Sequence, residues 1–149
     1  VATAEAYNLE RETRAEERAR ELLRSCVNAE EWAMYEAHGL LRVYGQANRS
    51  TTARQGVTAR PYAYLIYPHK PIVAYLVDSG RVTGEYCVAF GDERLPPSDD
   101  VLAKWLALTA DEHGLIASAN VDPIGRQVDP RRVRRDLARL ASWERQRRR

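Results

Sequence analysis

Three apolar runs stand close together in the middle of the chain, and the connections between them leave few folds open. "YAYLIY" (Tyr62–Tyr67) and "IVAYLV" (Ile72–Val77) are separated only by "PHKP", and "DSGR" leads into a third run from Arg81 to Phe90. β-Branched and aromatic residues dominate these runs, and such side chains fit a pleated surface. A parallel pair needs a crossover of about a dozen residues or more, so these short connections permit only antiparallel hairpins. "DSGR" predicts a type I turn with Gly80 in the left-handed position. "LLRVY" (Leu40–Tyr44) reads as an earlier strand. The expectation is a small antiparallel meander of three to four strands. "YAYLIY" reads as alternating. On the return strand Val82, Tyr86, Val88 and Phe90 share one face, with Thr83, Glu85, Cys87 and Ala89 on the other. One face of the sheet is expected to carry the core.

Helical periodicity frames the meander on both sides. From about Thr3 to Val27, an apolar stripe forms from Ala15, Ala19, Leu22, Leu23 and Cys26. Glu10 with Arg14 and Glu16 with Arg20 are spaced four apart in the favourable order, each pair worth about 0.2–0.5 kcal/mol. The first dozen residues carry few large apolar side chains, so this end projects or meets a partner. Asn28 and Glu31 spell a capping box for a short helix that closes at Gly39. After "LPP", Ser98 or Asp99 is expected to cap one helix running from about Asp99 to Asn120. Its stripe is Val101, Leu102, Trp105, Leu108, Leu115, Ile116 and Ala119, with Glu112 as the polar exception and Gly114 as a point of weakness. "VDPIGRQV" breaks the chain, and Asp129 with Pro130 opens the last helix.

The fold class expected is α+β: a long N-terminal helix, helices before and after the meander packed on one face of it, and a basic C-terminal helix. Residues 1–21 read as an N-terminal helical extension, 22–121 as an α+β domain containing the long loop 45–61, and 122–149 as the basic C-terminal helix. A chain of 149 residues suits one core.

"EEWAMYEAHGLLRVYG", "YC" (Tyr86–Cys87), "LPPSDDVLAKWLAL" and "DEHGLIASAN" follow one another in a set order. In this the stretch from Leu22 to Asn120 resembles a family of small uncharacterised bacterial and phage-encoded proteins. That family shows a YE-x-x-G turn, a meander, and an LP-x-x-D-x-x-LA helix continuing to DE and AN. The resemblance covers about two-thirds of the chain and implies no activity, so it assigns no catalytic or binding residue. This chain departs from the pattern in its longer loop Gly45–Pro61 and in Trp105. Its arginine-bearing ends lie outside the match.

The residues themselves spell no catalytic set. Cys26 and Cys87 sit on an apolar helix stripe and inside a strand, and read as reduced core thiols. His38, His69 and His113 fall far apart in sequence, and no ligand spacing or cofactor motif occurs. Asp99 and Asp100 are the nearest carboxylate pair, and a helix start accounts for them. An enzyme site around them and the loop arginines is the third reading. "GQANRSTTARQG" lacks the spacing of phosphate-cradling loops. The tyrosines lack the glycine–aromatic signature of an RNA-binding sheet and read as packing. No run is long enough for a membrane span. The charged first turns are unlike a signal peptide, so cytoplasm or virion is the expected location.

Arginine is what remains. From Arg126 to Arg149 ten arginines face three acids, a local net charge of +7, against −5 for the rest of the chain. Val133, Leu137 and Leu140 share a face of the closing helix, flanked by Ala141 and Trp143. Arg131, Arg132, Arg134, Arg135, Arg139 and Arg145 cover the opposite arc, and Arg147, Arg148 and Arg149 follow. Arg49, Arg54 and Arg60 lie in the long loop. Guanidinium forks suit carboxylate and phosphate alike. The leading expectation is a non-enzymatic interaction or structural protein built into a larger assembly, with a phage virion as one concrete form. Its partners are other protein subunits. The alternative is a free nucleic-acid-binding or regulatory protein using the same basic helix.

Overall fold

A computed structural model of the chain describes residues 3–46, 61–88, 95–119 and 127–149. Among these it shows five helices and one four-stranded antiparallel sheet. Helix α1 spans Ala4–Cys26 and α2 Ala29–His38. The strands are β1 (Leu41–Tyr44), β2 (Tyr62–Ile66), β3 (Ile72–Leu76) and β4 (Val82–Tyr86). Helices α3 (Pro97–Ala110), α4 (Glu112–Ser118) and α5 (Pro130–Arg147) follow. The strands lie in chain order, each antiparallel to the next, as the short β2–β3 and β3–β4 connections require of those pairs.

Local signals set the ends of these elements. Asn28 accepts from the Glu31 N–H at 2.8 Å, and Glu31 accepts from the Asn28 N–H at 3.1 Å, closing the capping box. Gly39 (φ 69°) and Gly80 (φ 70°) take the left-handed conformation in which a Cβ is costly. Asp129 caps α5 with Pro130 in its first turn.

The sheet is covered on both faces, which corrects the expectation of one. Val43, Tyr64, Ile66, Ile72 and Ala74 pack with Leu23, Val101, Leu102, Leu108 and Leu115 from α1, α3 and α4. On the other face Ala63, Leu65, Tyr67, Val73 and Tyr75 pack with Val128, and with Val133 and Leu140 of α5. Strands β2 and β3 are therefore buried almost continuously instead of alternating. Helix α2 lies at the margin, giving Tyr35 to the first cluster and Met34 to the second.

The return strand departs from simple alternation. Ala74 faces Gly84 while Tyr75 faces Val82, so Thr83 is an extra residue in a bulge. The bulge moves Val82 to the α5 side with Glu85, while Tyr86 and Val88 pack on the opposite side. The predicted face shared by Val82, Tyr86 and Val88 is thus divided; Ala89 and Phe90 lie outside the described residues.

Three further differences concern the helices. The single helix expected over Asp99–Asn120 is two, and the break falls at Asp111 (φ −154°, ψ 80°) instead of at Gly114. Asp111 accepts from the Gly114 N–H at 3.0 Å and so caps α4. Asn120 lies outside the described residues. Ser98 and Asp99 do not cap α3: its N-cap is Pro96, with no side-chain cap bond. Ser98 is instead buried, its N–H and hydroxyl both donating to Glu16 at 2.9 and 2.6 Å, which ties α1 to α3. On α1 only Ala19 and Leu23 are buried. Leu22 is 51% exposed and Cys26 is exposed, because α3 covers a narrower strip of α1 than the sequence stripe is wide.

Candidate functional site

Helix α5 is about 27 Å long at 1.5 Å per residue. Val133 and Leu140 are buried on its inner edge, and Leu137 and Trp143 are half-buried beside them. Asp136 lies among these apolar groups because Tyr67 donates its phenolic proton to it at 2.8 Å. Burial, and then the bond to Asp136, push the Tyr67 phenol well above its ordinary range. The same edge holds two of the arginines. Arg132 lies 3.7 Å from Asp136 and over the Tyr67 ring at 4.7 Å. Arg147 donates to both Glu30 oxygens, at 3.2 and 2.8 Å, and stacks 4.6 Å from Trp143.

The acids of this segment are all engaged. Asp129 binds Arg131 at 3.2 Å, Asp136 is taken by Tyr67 and Arg132, and Glu144 accepts from Arg42 at 2.8 Å. Arg134, Arg135, Arg139, Arg145, Arg148 and Arg149 are exposed, and among the described residues none forms an ion pair. At 100° per residue, Arg134, Arg135, Arg139 and Arg145 fall within an arc of about 140°. Ala138 and Ala141 on the outer side keep that arc low in profile. Arg49, Arg54 and Arg60 lie outside the described residues.

Asp99 and Asp100 do not converge. Asp100 turns inward to accept from Lys104 Nζ and from the His69 N–H, at 2.6 and 2.8 Å. Lys104 is buried and also donates to the Lys70 carbonyl at 2.7 Å. The pair fastens the β2–β3 turn to α3, where His69 holds a left-handed φ of 57°. Asp99 stays on the other side, near Glu16; burial, and then that charge, raise its carboxyl above the usual range.

Glu112 is the residue that sequence reasoning left as an exception. It opens α4, is buried, and accepts from the Tyr62 hydroxyl (2.8 Å), the Tyr64 hydroxyl (2.6 Å) and the Gln46 N–H (2.6 Å). Burial, and then Glu112, hold the Tyr64 phenol far above its ordinary range. A cavity of about 700 Å³ opens here, lined by Tyr62, Tyr64 and Tyr86 with Thr83 and His113. Tyr86 turns back over Gly84: a Cβ there would lie 3.2 Å from its phenolic oxygen. The signal available in the sequence was a carboxylate on an apolar helix face three positions from a leucine of the core.

The remaining candidates stay apart. Cys26 is exposed beside Ser25, and Cys87 is half-buried at the sheet margin, so neither is the core thiol expected. His38 meets the Trp143 ring edge-on, and burial, followed by Arg139, lowers its pKa. Among the described residues no three His, Cys, Asp or Glu side chains gather as metal ligands, and no helix is long and apolar enough to cross a membrane. Tyr67 and Tyr75 are buried beneath α5, so on that face of the sheet these two rings are packed and not open to bases. Comparison with known proteins finds no matching family model, curated protein or solved structure, and the resemblance to bacterial and phage-encoded proteins rests on the quoted residues alone.

Proposed function

We propose that this protein is a non-enzymatic interaction protein built into a larger assembly, and that the outer arc of α5 meets its partner. The observation that carries the reading is the division of arginines on one helix. Arg132 and Arg147 meet an acid and an aromatic ring within the fold and Arg131 pairs with Asp129, whereas Arg134, Arg135, Arg139 and Arg145 form no ion pair among the described residues. The inner edge is held by the core, so the helix beneath the arc is in place before any partner arrives, and docking has to order the arginine side chains but not the helix. Other protein subunits with acidic surfaces are its partners, and the resemblance to phage-encoded proteins makes a virion component one concrete form. Composition of the particle that co-purifies with the full chain tests this. A stable complex lost on reversing Arg134, Arg135 and Arg139 to glutamate supports the reading; a chain that remains monomeric with every native component overturns it.

A second reading takes nucleic acid as the partner. The lack of an ion pair at these four arginines among the described residues, with the small Ala138 inside the arc and Ala141 at its edge, favours this, since a phosphate backbone could approach closely. Filter binding to duplex DNA and RNA over a salt series separates the two. Four phosphate contacts give a log–log salt slope of about −4 with submicromolar affinity at low salt.

A further inference from the structure

The last turns of α5 are held differently from the rest of it. Val133, Asp136 and Leu140 are buried, and no residue after Leu140 is. Beyond Leu140 the helix is tied down by Trp143 against His38, Glu144 with Arg42, and Arg147 with Glu30. The Arg147 pair is exposed on both sides, so water and salt weaken it. His38 is the last residue of α2, and its ring meets Trp143 edge-on at 5.4 Å. Its Nε2 is sealed from solvent and has no hydrogen-bond partner among the described residues. A neutral imidazole keeps one nitrogen as an acceptor, whereas an imidazolium makes both nitrogens donors and adds a charge. This notch gives Nε2 no acceptor, and the Arg139 guanidinium repels a positive charge there. The carbonyl end of α2 and the Asp136 carboxylate pull the other way. Asp136 is already bonded to Tyr67 and lies beside Arg132, so burial, followed by Arg139, prevails and the ring is held toward its neutral form. The other charges on the packed elements are matched: Arg42 on β1 with Glu144, and Glu30 on α2 with Arg147.

We propose that His38 is a proton-operated latch on the end of α5: the neutral ring holds Trp143 in place, and the imidazolium releases it together with the helix beyond Leu140. The protonated ring leaves the notch to reach water, and Trp143 loses the surface on which it rests. A histidine held toward its neutral form contributes stability above the ordinary histidine range, and that stability is lost as pH falls through the folded value. The Glu144 carboxyl, held below its usual range, stays ionised through that window, so the window belongs to His38. Release takes Arg145 out of line with Arg134, Arg135 and Arg139, and acid thereby dismantles the outer arc. The latch stands on the contacts of His38 alone; its consequence for a partner rests on the α5 reading.

Side-chain titration and amide hydrogen exchange of the isotope-labelled full chain, with no partner present, test the latch. The His38 ring resonances are expected to titrate below the ordinary histidine range. Amide protection from Trp143 to Arg147, corrected for intrinsic exchange, falls at least about fivefold between about pH 7.5 and about pH 5, while that of the buried Ala19 and Leu23 on α1 holds. His38→Phe keeps a ring against Trp143 that takes up no proton, and protection there becomes equal at both pH values. Arg139→Gln, a change at an exposed position, moves the His38 titration upward and reduces the acid loss. If His38→Phe fails to fold, the Arg139→Gln titration decides alone. Protection that ignores pH in the parent chain, an acid loss that persists in His38→Phe, or a His38 titration unmoved in Arg139→Gln overturns the proposal. A failed latch leaves the α5 reading standing, and a chain that binds no partner leaves the latch standing, so the two failures are separate results.

Discussion

Arg42 on the edge strand donates to Glu144 near the end of α5 at 2.8 Å, across 102 residues of sequence, with both side chains largely shielded from water. The bond from Arg42, more than the opposing effect of burial, holds the Glu144 carboxyl below its usual range. A folded-state pKa that is lowered contributes stability above the unfolded value, and that stability is lost as pH falls through the folded value. Glu144→Gln is expected to cost about 1–2 kcal/mol at neutral pH. The difference from the parent chain shrinks below the ordinary glutamate range, and urea unfolding at a series of pH values measures it.

The Asp100–Lys104 pair is deeper and behaves differently. Asp100→Ala leaves a buried ammonium with only carbonyl partners and removes the acceptor of the His69 N–H. The expected loss is about 3–5 kcal/mol. Replacing both residues together, Asp100→Leu with Lys104→Met, is expected to cost less than Asp100→Ala alone. A double-mutant comparison by denaturant unfolding checks the order.

Charge reversal on α5 separates stability from binding. Arg134, Arg135 and Arg139 contact no acid among the described residues, so each change to glutamate shifts stability by no more than about 0.5 kcal/mol. Thermal unfolding remains cooperative, while co-purification with the partner, or retention of nucleic acid on a filter, is lost. Reversal at Arg147, which pairs with Glu30, should cost stability as well.

Cys26 is exposed near the end of α1 and lies in no core cluster. A thiol reagent is expected to modify it in the native chain without denaturant, and Cys26→Ser abolishes that fast phase. Modification that waits for global unfolding would place Cys26 inside the fold after all.

Much of the architecture was legible because it is local. The Asn28–Glu31 box, the left-handed Gly39 and Gly80, and the Asp129–Pro130 start each depend on a few neighbouring residues. The turns "PHKP" and "DSGR" are too short to join anything but antiparallel strands. The edge that docks α5 was also visible, because Val133, Leu137 and Leu140 recur at helical spacing. Glu112 was not legible as a site: its partners Tyr62 and Tyr64 are about fifty residues away, and a carboxylate on an apolar face has no local signature of what it binds.

The sequence by itself determined the order of elements, their ends and the antiparallel sheet, through capping, turn chemistry and hydrophobic period. It also determined that one helix would carry far more arginine than acid. Only the tertiary structure decided which of those arginines are spent inside the fold, since Glu30 and the Tyr67 ring reach them from distant segments. It decided as well that both faces of the sheet are covered, because strands read as alternating call for one covered face, and the second is covered only when α5 folds back over Leu65, Val73 and Tyr75. The division of Val82 from Tyr86 came from a single extra residue at Thr83, a register effect that alternation along one strand does not contain.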